Sequence, residues 1–327
     1  MLYFFAASNL GDDIMEETVE KSEQKKSEIE QVRELISRKR RHGDRWDGHL
    51  LRDIDSMHFI MPIIYPNRCD NEAFISDVID VTKLNAYLEE KNRDVAGMKR
   101  LSPFTVILYA AMKTIYLRPR MNRFIANNNL YQRNEISAAF TIKTHLRDDS
   151  DEGLAFIHAR DESTLDDIWA DVNRQVGLVR ESGQIDPSTQ AMDFFTKKVP
   201  RFISKSIIKF VRVLDRHGKV PRSFIETDPY YSSVVLTYVG SLRMQSGYHH
   251  LTNWGTNSFF ISVGEKKLRP FYDRRGNVEM RDSIDVSFII DERLADGFYY
   301  AKTIRLFKKL MENPELLERP LCEEVSF

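Results

Sequence analysis

Hydrophobic residues along this chain switch between helical and strand spacing, and the switches predict its elements. Residues 13–41 are highly charged, with Ile29, Val32, Leu35 and Ile36 on one helical face. The stretch closes with RKRRHG, where basic residues suit a helix C-terminus and Gly43 can cap it. It reads either as a helical extension packing on another subunit or as a charged tail. FISDVIDVTKL, residues 74–84, predicts a strand running into a helix through Tyr87 and Leu88. In LSPFTVILYAAMKTIYLRPRMN, Ser102 is a good N-cap, Pro103 takes the first helical position and Pro119 ends the helix. That helix is apolar nearly all round, which predicts burial. NNNLYQRNEISAAFTIK and EGLAFIHARD predict strands flanking the acidic turn RDDSDEG. Ser163 opens a helix with Leu165, Ile168, Val172, Val176 and Val179 on one face.

Residues 197–222 differ in character. Lys197, Lys198, Arg201, Lys205, Lys209, Arg212, Arg216, Lys219 and Arg222 stand against a single acid, Asp215. Ile203, Ile207, Ile208, Phe210, Val211 and Leu214 interleave with them, giving a basic amphipathic helix. It suits an anionic membrane surface, an acidic partner, or an ordinary surface helix whose Lys and Arg stems cover apolar area. The last third is strand-rich: YSSVVLTYVGSL, then NSFFISVGEKKLRPFYD, the turn RRGN and SIDVSFIID. A final helix follows Gly297, with Ala301, Ile304, Phe307, Leu310 and Met311 in helical register, until Asn313-Pro314 stops it. The loose alternation of helices and strands predicts an α+β sandwich with a mixed sheet flanked by helices.

Composition narrows the function. An apolar fraction of 42%, a charged fraction of 30% and a net charge of −1 are those of a soluble protein without a general affinity for polyanions. The basic stretch lacks the aromatic interleaving of a stacking platform, so no nucleic-acid partner is expected. Two distant cysteines, Cys69 and Cys322, and no ligand cluster with zinc spacing predict a reducing, cytoplasmic setting and no metal. The short apolar start MLYFFAASNL fits neither a signal peptide nor a membrane span, and no transmembrane segment is expected. Residues 1–43 are read as the charged extension, 44–320 as one domain and 321–327 as a C-terminal tail.

The end of the chain, VSFIIDERLADGFYYAKTIRLFKKLMENPELL, resembles the acyltransferase catalytic core of 2-oxoacid dehydrogenase complexes, whose superfamily includes chloramphenicol acetyltransferase. The family pattern is a strand, Asp-His-Arg-x-x-Asp-Gly, and a helix ending near Asn-Pro-x-x-Leu. Asp291, Arg293, Asp296 and Gly297 match it, as does the Asn313–Leu317 tail; Glu292 stands in place of the catalytic histidine. SSVVLTYVGSL is similar to the family's Ser-Asn-x-Gly strand, with Thr237 at the hydroxyl and Gly240 at the glycine. Residues 74–92 resemble its first strand and helix, and Pro119 with Asn122 its Pro-x-x-Asn turn. The resemblance implies a chloramphenicol acetyltransferase-like two-layer sandwich, a homotrimer able to build larger shells, and coenzyme A as co-substrate. No lipoyl domain is recognised ahead of the core.

Acyl transfer needs a base for the attacking group and a donor at the oxyanion. The resemblance assigns the donor to Thr237. It makes Asp296 a structural anchor bonded to an arginine, with Arg52 and Arg68 as candidates. Glu292 inherits the base position, yet a free Glu is about two pKa units, or ~3 kcal/mol, the weaker base. Its carboxylate would also repel a forming thiolate. His249 and His250, in SGYHHLTNWGT, are the other candidate bases; the alternative is a loop histidine bonded to backbone. His58 and His217 lie in no matched motif. Two readings stay open: acyl transfer from acyl-coenzyme A or an acyl-thioester at a trimer-interface site with an altered base, or a catalytically inactive trimeric or cage-forming scaffold.

Overall fold

A computed structural model describes residues 28–97, 100–143, 152–182, 199–225 and 228–326. Residues 13–27 of the charged extension, the acidic turn at 147–151, and Lys197 and Lys198 lie outside the described residues.

Two sheets organise the chain. Strands β1 (Gly48–Leu50), β3 (Arg123–Ala126) and β4 (Asn129–Arg133) make a small antiparallel sheet in the order β1-β4-β3. The main sheet has the order β2-β9-β8-β7-β5-β6, from β2 (Glu72–Asp80), β5 (Ile136–Lys143), β6 (Glu152–Ala159), β7 (Val234–Tyr238), β8 (Phe259–Tyr272) and β9 (Val278–Asp291). β7 runs parallel to both β5 and β8, whereas the other pairs are antiparallel. The sheet is therefore mixed, as the loose alternation predicted.

The longer helices are α1 (28–37), α2 (Ser56–Ile64), α3 (Thr82–Lys91), α4 (Pro103–Leu117), α5 (Leu165–Ser182), α6 (Arg201–Arg216) and α7 (Gly297–Glu312), and a single turn forms at Arg222–Ile225. α4 is buried all round. Ser102 caps it by accepting from the Thr105 N–H at 3.1 Å, with Pro103 next in line. α5 is capped one residue later than Ser163: Thr164 accepts from the Asp167 N–H, and Asp167 returns the bond to the Thr164 N–H. The core lies between α4, α7 and one sheet face, where Leu236, Ile261, Phe288 and Ile75 stand opposite one another across four strands.

The chain ends are tied in. Ile29 of α1 is buried in the main core, and Arg33 bonds Tyr116 and pairs with Asp161 at 3.3 Å. Residues 28–37 thus pack on their own chain. The helix stops at residue 37, so Gly43 (φ 89°) makes a later turn and does not cap it. Leu321 and Val325 are buried in the same core, and the Leu321 and Cys322 N–H groups donate to Ser163 and Asp161.

Candidate active site

Alternation along each strand presents a second row of side chains on the face away from the core helices. Val235, Phe260, Ile289 and Phe74 form an apolar row there. Two positions on, Thr237, Ser262, Ser287 and Ser76 form a row of hydroxyls across β7, β8, β9 and β2. Polar residues in the middle of a sheet need a covering polar partner, and the chain supplies one. After β7, residues 243–257 run across this face as a loop. Ser246 Oγ meets Ser287 Oγ at 2.9 Å, Tyr248 stands edge-on to Phe74, and Leu251 packs on Phe260 and Ile289. Farther out, Asn253 Oδ1 accepts from the Arg68 N–H at 2.7 Å, and the Arg68 guanidinium donates to the Thr252 carbonyl. Close packing under the loop requires glycine. A Cβ at Gly240 would lie 2.8 Å from the Gly264 carbonyl carbon and 2.9 Å from Glu265 Cα.

That loop carries the two histidines back over β7. Thr237, His249 and His250 line one cavity of about 150 Å³, closed by Phe140, Thr141, Leu154, Tyr230 and Phe260 among others. The His249 ring lies flat on Phe260, with centroids 4.3 Å apart and planes 8° off parallel. Its Nδ1 is 3.2 Å from the His250 carbonyl. A carbonyl can only accept, so Nδ1 is the donor in this contact and Nε2 stays outside it. An imidazole and a hydroxyl on the lining of one cavity are the residue types that acyl transfer needs for its base and its oxyanion donor, and both histidines stand exposed at its edge.

Glu292 is elsewhere in this chain. Register sets Thr237 beside Ser262 and Ser262 beside Ser287. Glu292 therefore lies five residues farther along β9, about 17 Å, and two strands across, about 10 Å. Its side chain is exposed, and its N–H donates to the Asn71 carbonyl at 2.9 Å. Asp296 is the N-cap of α7, accepting from the Tyr299 N–H at 2.8 Å. Among the described residues no arginine bonds its carboxylate, the partner that the resemblance implied, and one first-turn N–H donates to its Oδ1 instead. Of the arginines put forward for it, Arg52 donates to the His42 carbonyl and Arg68 faces Asp291. His58 pairs with Asp55, and His217 bonds the Val213 carbonyl.

The anchor of the 292 loop, missed from sequence, is Asp291. It is wholly buried, accepts two guanidinium bonds from Arg293 at 2.8 and 2.6 Å and the Arg293 N–H at 3.3 Å, and lies 3.7 Å from Arg68 Nε. Burial lowers the Arg68 pKa, and Asp291 opposes that shift. Arg293 goes on to the Tyr65 carbonyl at the end of α2. The Asp-x-Arg spacing was visible, but a bidentate pair two residues apart is recognisable only once the strand is seen to end there. Among the described residues no group of three or more His, Cys, Asp or Glu could hold a metal ion.

No protein-family model matches the sequence, and no curated protein matches it as a relative. Solved structures share its fold. Dihydrolipoamide acetyltransferase from Azotobacter vinelandii superposes with a TM-score of 0.54 at 13% identity, over 82% of this chain and 94% of that one. The cubic core of the pyruvate dehydrogenase multienzyme complex gives 0.54 at 12% identity, over 82% and 94%. Chloramphenicol acetyltransferase gives 0.50 at 12%, over 83% and 99%. The fold is the α+β sandwich of these acyltransferase cores.

Proposed function

We propose that this chain is an acyltransferase that moves an acyl group from acyl-coenzyme A, or another acyl-thioester, to a thiol or similar acceptor. The observation that carries the reading is the shared cavity of Thr237, His249 and His250. His249 Nε2 takes the proton of the attacking group, whose sulfur or oxygen bonds the thioester carbonyl carbon. The carbonyl oxygen becomes an oxyanion held by the Thr237 hydroxyl. The carbon–sulfur bond then breaks, and the departing thiolate takes back the proton from His249. A cavity of this size holds the acyl-thioester end, and the rest of coenzyme A lies outside it.

In the similar Azotobacter vinelandii enzyme, a serine, a histidine and an asparagine are named for the catalytic mechanism. On our reading Thr237 does the serine's work, and the imidazole comes from the 243–257 loop. In a trimer, a neighbour's Glu292 would face Thr237 as a further acidic group at the mouth.

The test is turnover of acetyl-coenzyme A with candidate thiol acceptors, followed by loss of thioester absorbance. Thr237→Val is expected to lower kcat by about 10²–10³ and His249→Ala by about 10²–10⁴, with Glu292→Gln changing it least. Wild-type turnover no higher than that of a Thr237→Ala, His249→Ala double variant would end the catalytic reading.

One observation favours the scaffold reading alongside it. α2 turns Met57, Phe59, Ile63 and Ile64 outward beside Tyr65, and Phe298 stands exposed at the start of α7. Such a patch, next to the Glu292 loop, suits a copy of the same chain.

A further inference from the structure

The proposed reaction does not use α6, and its setting differs from that of every other helix. Val211 and Leu214 pack against Val220, Ile225, Tyr231 and Trp46. Arg45 holds Asp215 through its carboxylate, at 2.9 Å, and through its carbonyl. These contacts fix the rotation of the helix on the domain, and none of its residues is buried.

That rotation decides what faces outward. At 100° per residue Phe202, Ile203, Phe210 and Val213 share one stripe, and they are 72%, 39%, 63% and 50% exposed. Among the described residues nothing buries this stripe. Along its flank run Arg201, Lys205, Lys209, Arg212 and Arg216, all exposed. Asp215, the one acid of the helix, is turned inward to Arg45. The outward surface is thus apolar and purely basic over the helix length of about 24 Å.

We propose that this face of α6 docks on an anionic lipid bilayer. Phe202, Phe210 and Val213 enter the boundary between headgroups and acyl chains, while the flanking Lys and Arg meet the anionic headgroups. The shape selects a bilayer over an acidic protein. The stripe is a convex ridge of one helix, which a deformable hydrocarbon surface can wrap but a protein must meet with a matching groove. Five cations spread along one line likewise suit a plane of mobile anions.

Vesicle flotation of the full chain tests this at low salt, comparing phosphatidylcholine with phosphatidylcholine containing about 30 mol% phosphatidylserine. Wild type is expected to float only with the anionic vesicles. Phe202→Ser with Phe210→Ser should weaken binding at least about tenfold. Lys205→Glu, Lys209→Glu and Arg212→Glu together should weaken it about a hundredfold. Phe210→Trp should be quenched by brominated acyl chains. Thr237→Val should float as wild type does, separating docking from catalysis, and circular dichroism checks that each variant folds. No flotation of wild type overturns the proposal, as does full binding by the phenylalanine variant or an unquenched Trp. A fall in native mass of the phenylalanine variant in lipid-free buffer would assign the stripe to a second copy and also overturn it.

Discussion

Asp291 shows how much one buried carboxylate can hold. Its two oxygens receive Arg293, and its charge faces Arg68, so two arginines that are themselves buried depend on it. Asp291→Ala leaves both guanidiniums without their counter-charge and is expected to cost about 3–5 kcal/mol in denaturant unfolding. Lys113 is a second buried charge, with its ammonium on the Arg319 and Pro320 carbonyls. Burial pushes its pKa down to about 8 from an ordinary 10.5. Between these values the unfolded chain binds more protons than the folded one, so the stability contribution of Lys113 rises with pH across that window. The gain is on the order of 3 kcal/mol, and Lys113→Met should flatten this part of a pH series of chemical denaturations. The partners of these charges were not legible in the sequence: a lysine in a helix predicted to be buried gives no sign of which carbonyls will meet it.

At the scale of elements, the crossing loop 243–257 makes the candidate site. Its path depends on Gly240 and Gly264, where backbone passes backbone too closely for a side chain. Gly240→Ala drives a methyl into the Gly264 peptide and is expected to destabilise by about 1–3 kcal/mol while lowering activity, through displacement of the loop over Thr237. Gly177 in α5 is the contrast, because a Cβ there meets nothing within 4 Å. Gly177→Ala is expected to stabilise by about 0.5–1 kcal/mol in thermal unfolding. Strands and buried helices were legible because their periods are local, as in α4 with Ser102 and Pro103. The loop was not: residues 243–257 have no period, and only the two rows beneath them explain why Ser246 goes to Ser287 and His249 to Phe260.

For the whole molecule the open question is assembly. Met57, Phe59, Ile63 and Ile64 on α2 and Phe298 on α7 leave large apolar groups in water near the loop that carries Glu292. On the proposal of a trimer, mass photometry at micromolar concentration should find a species near three times 38.3 kDa, or a larger shell. Phe59→Ser with Ile63→Ser should shift it to monomer. A wild-type monomer would count against the trimer, and with it against any meeting of Glu292 and Thr237. Among the described residues no helix is long and apolar enough to cross a membrane.

The sequence by itself determined the fold class and most of the elements, though not β1, α2 or β3. Hydrophobic periods, caps and prolines act within a few residues, and the spaced motifs from Thr237 to the Asn313-Pro314 stop preserve the order of the strands. Tertiary structure decided what each polar residue is for. Asp296 became a helix cap and Asp291 the anchor, because a carboxylate's role depends on which donors reach it. Thr237 shares a cavity with His249 and lies far from the Glu292 of its own chain, because cross-strand register, which no local pattern records, sets distances along a sheet.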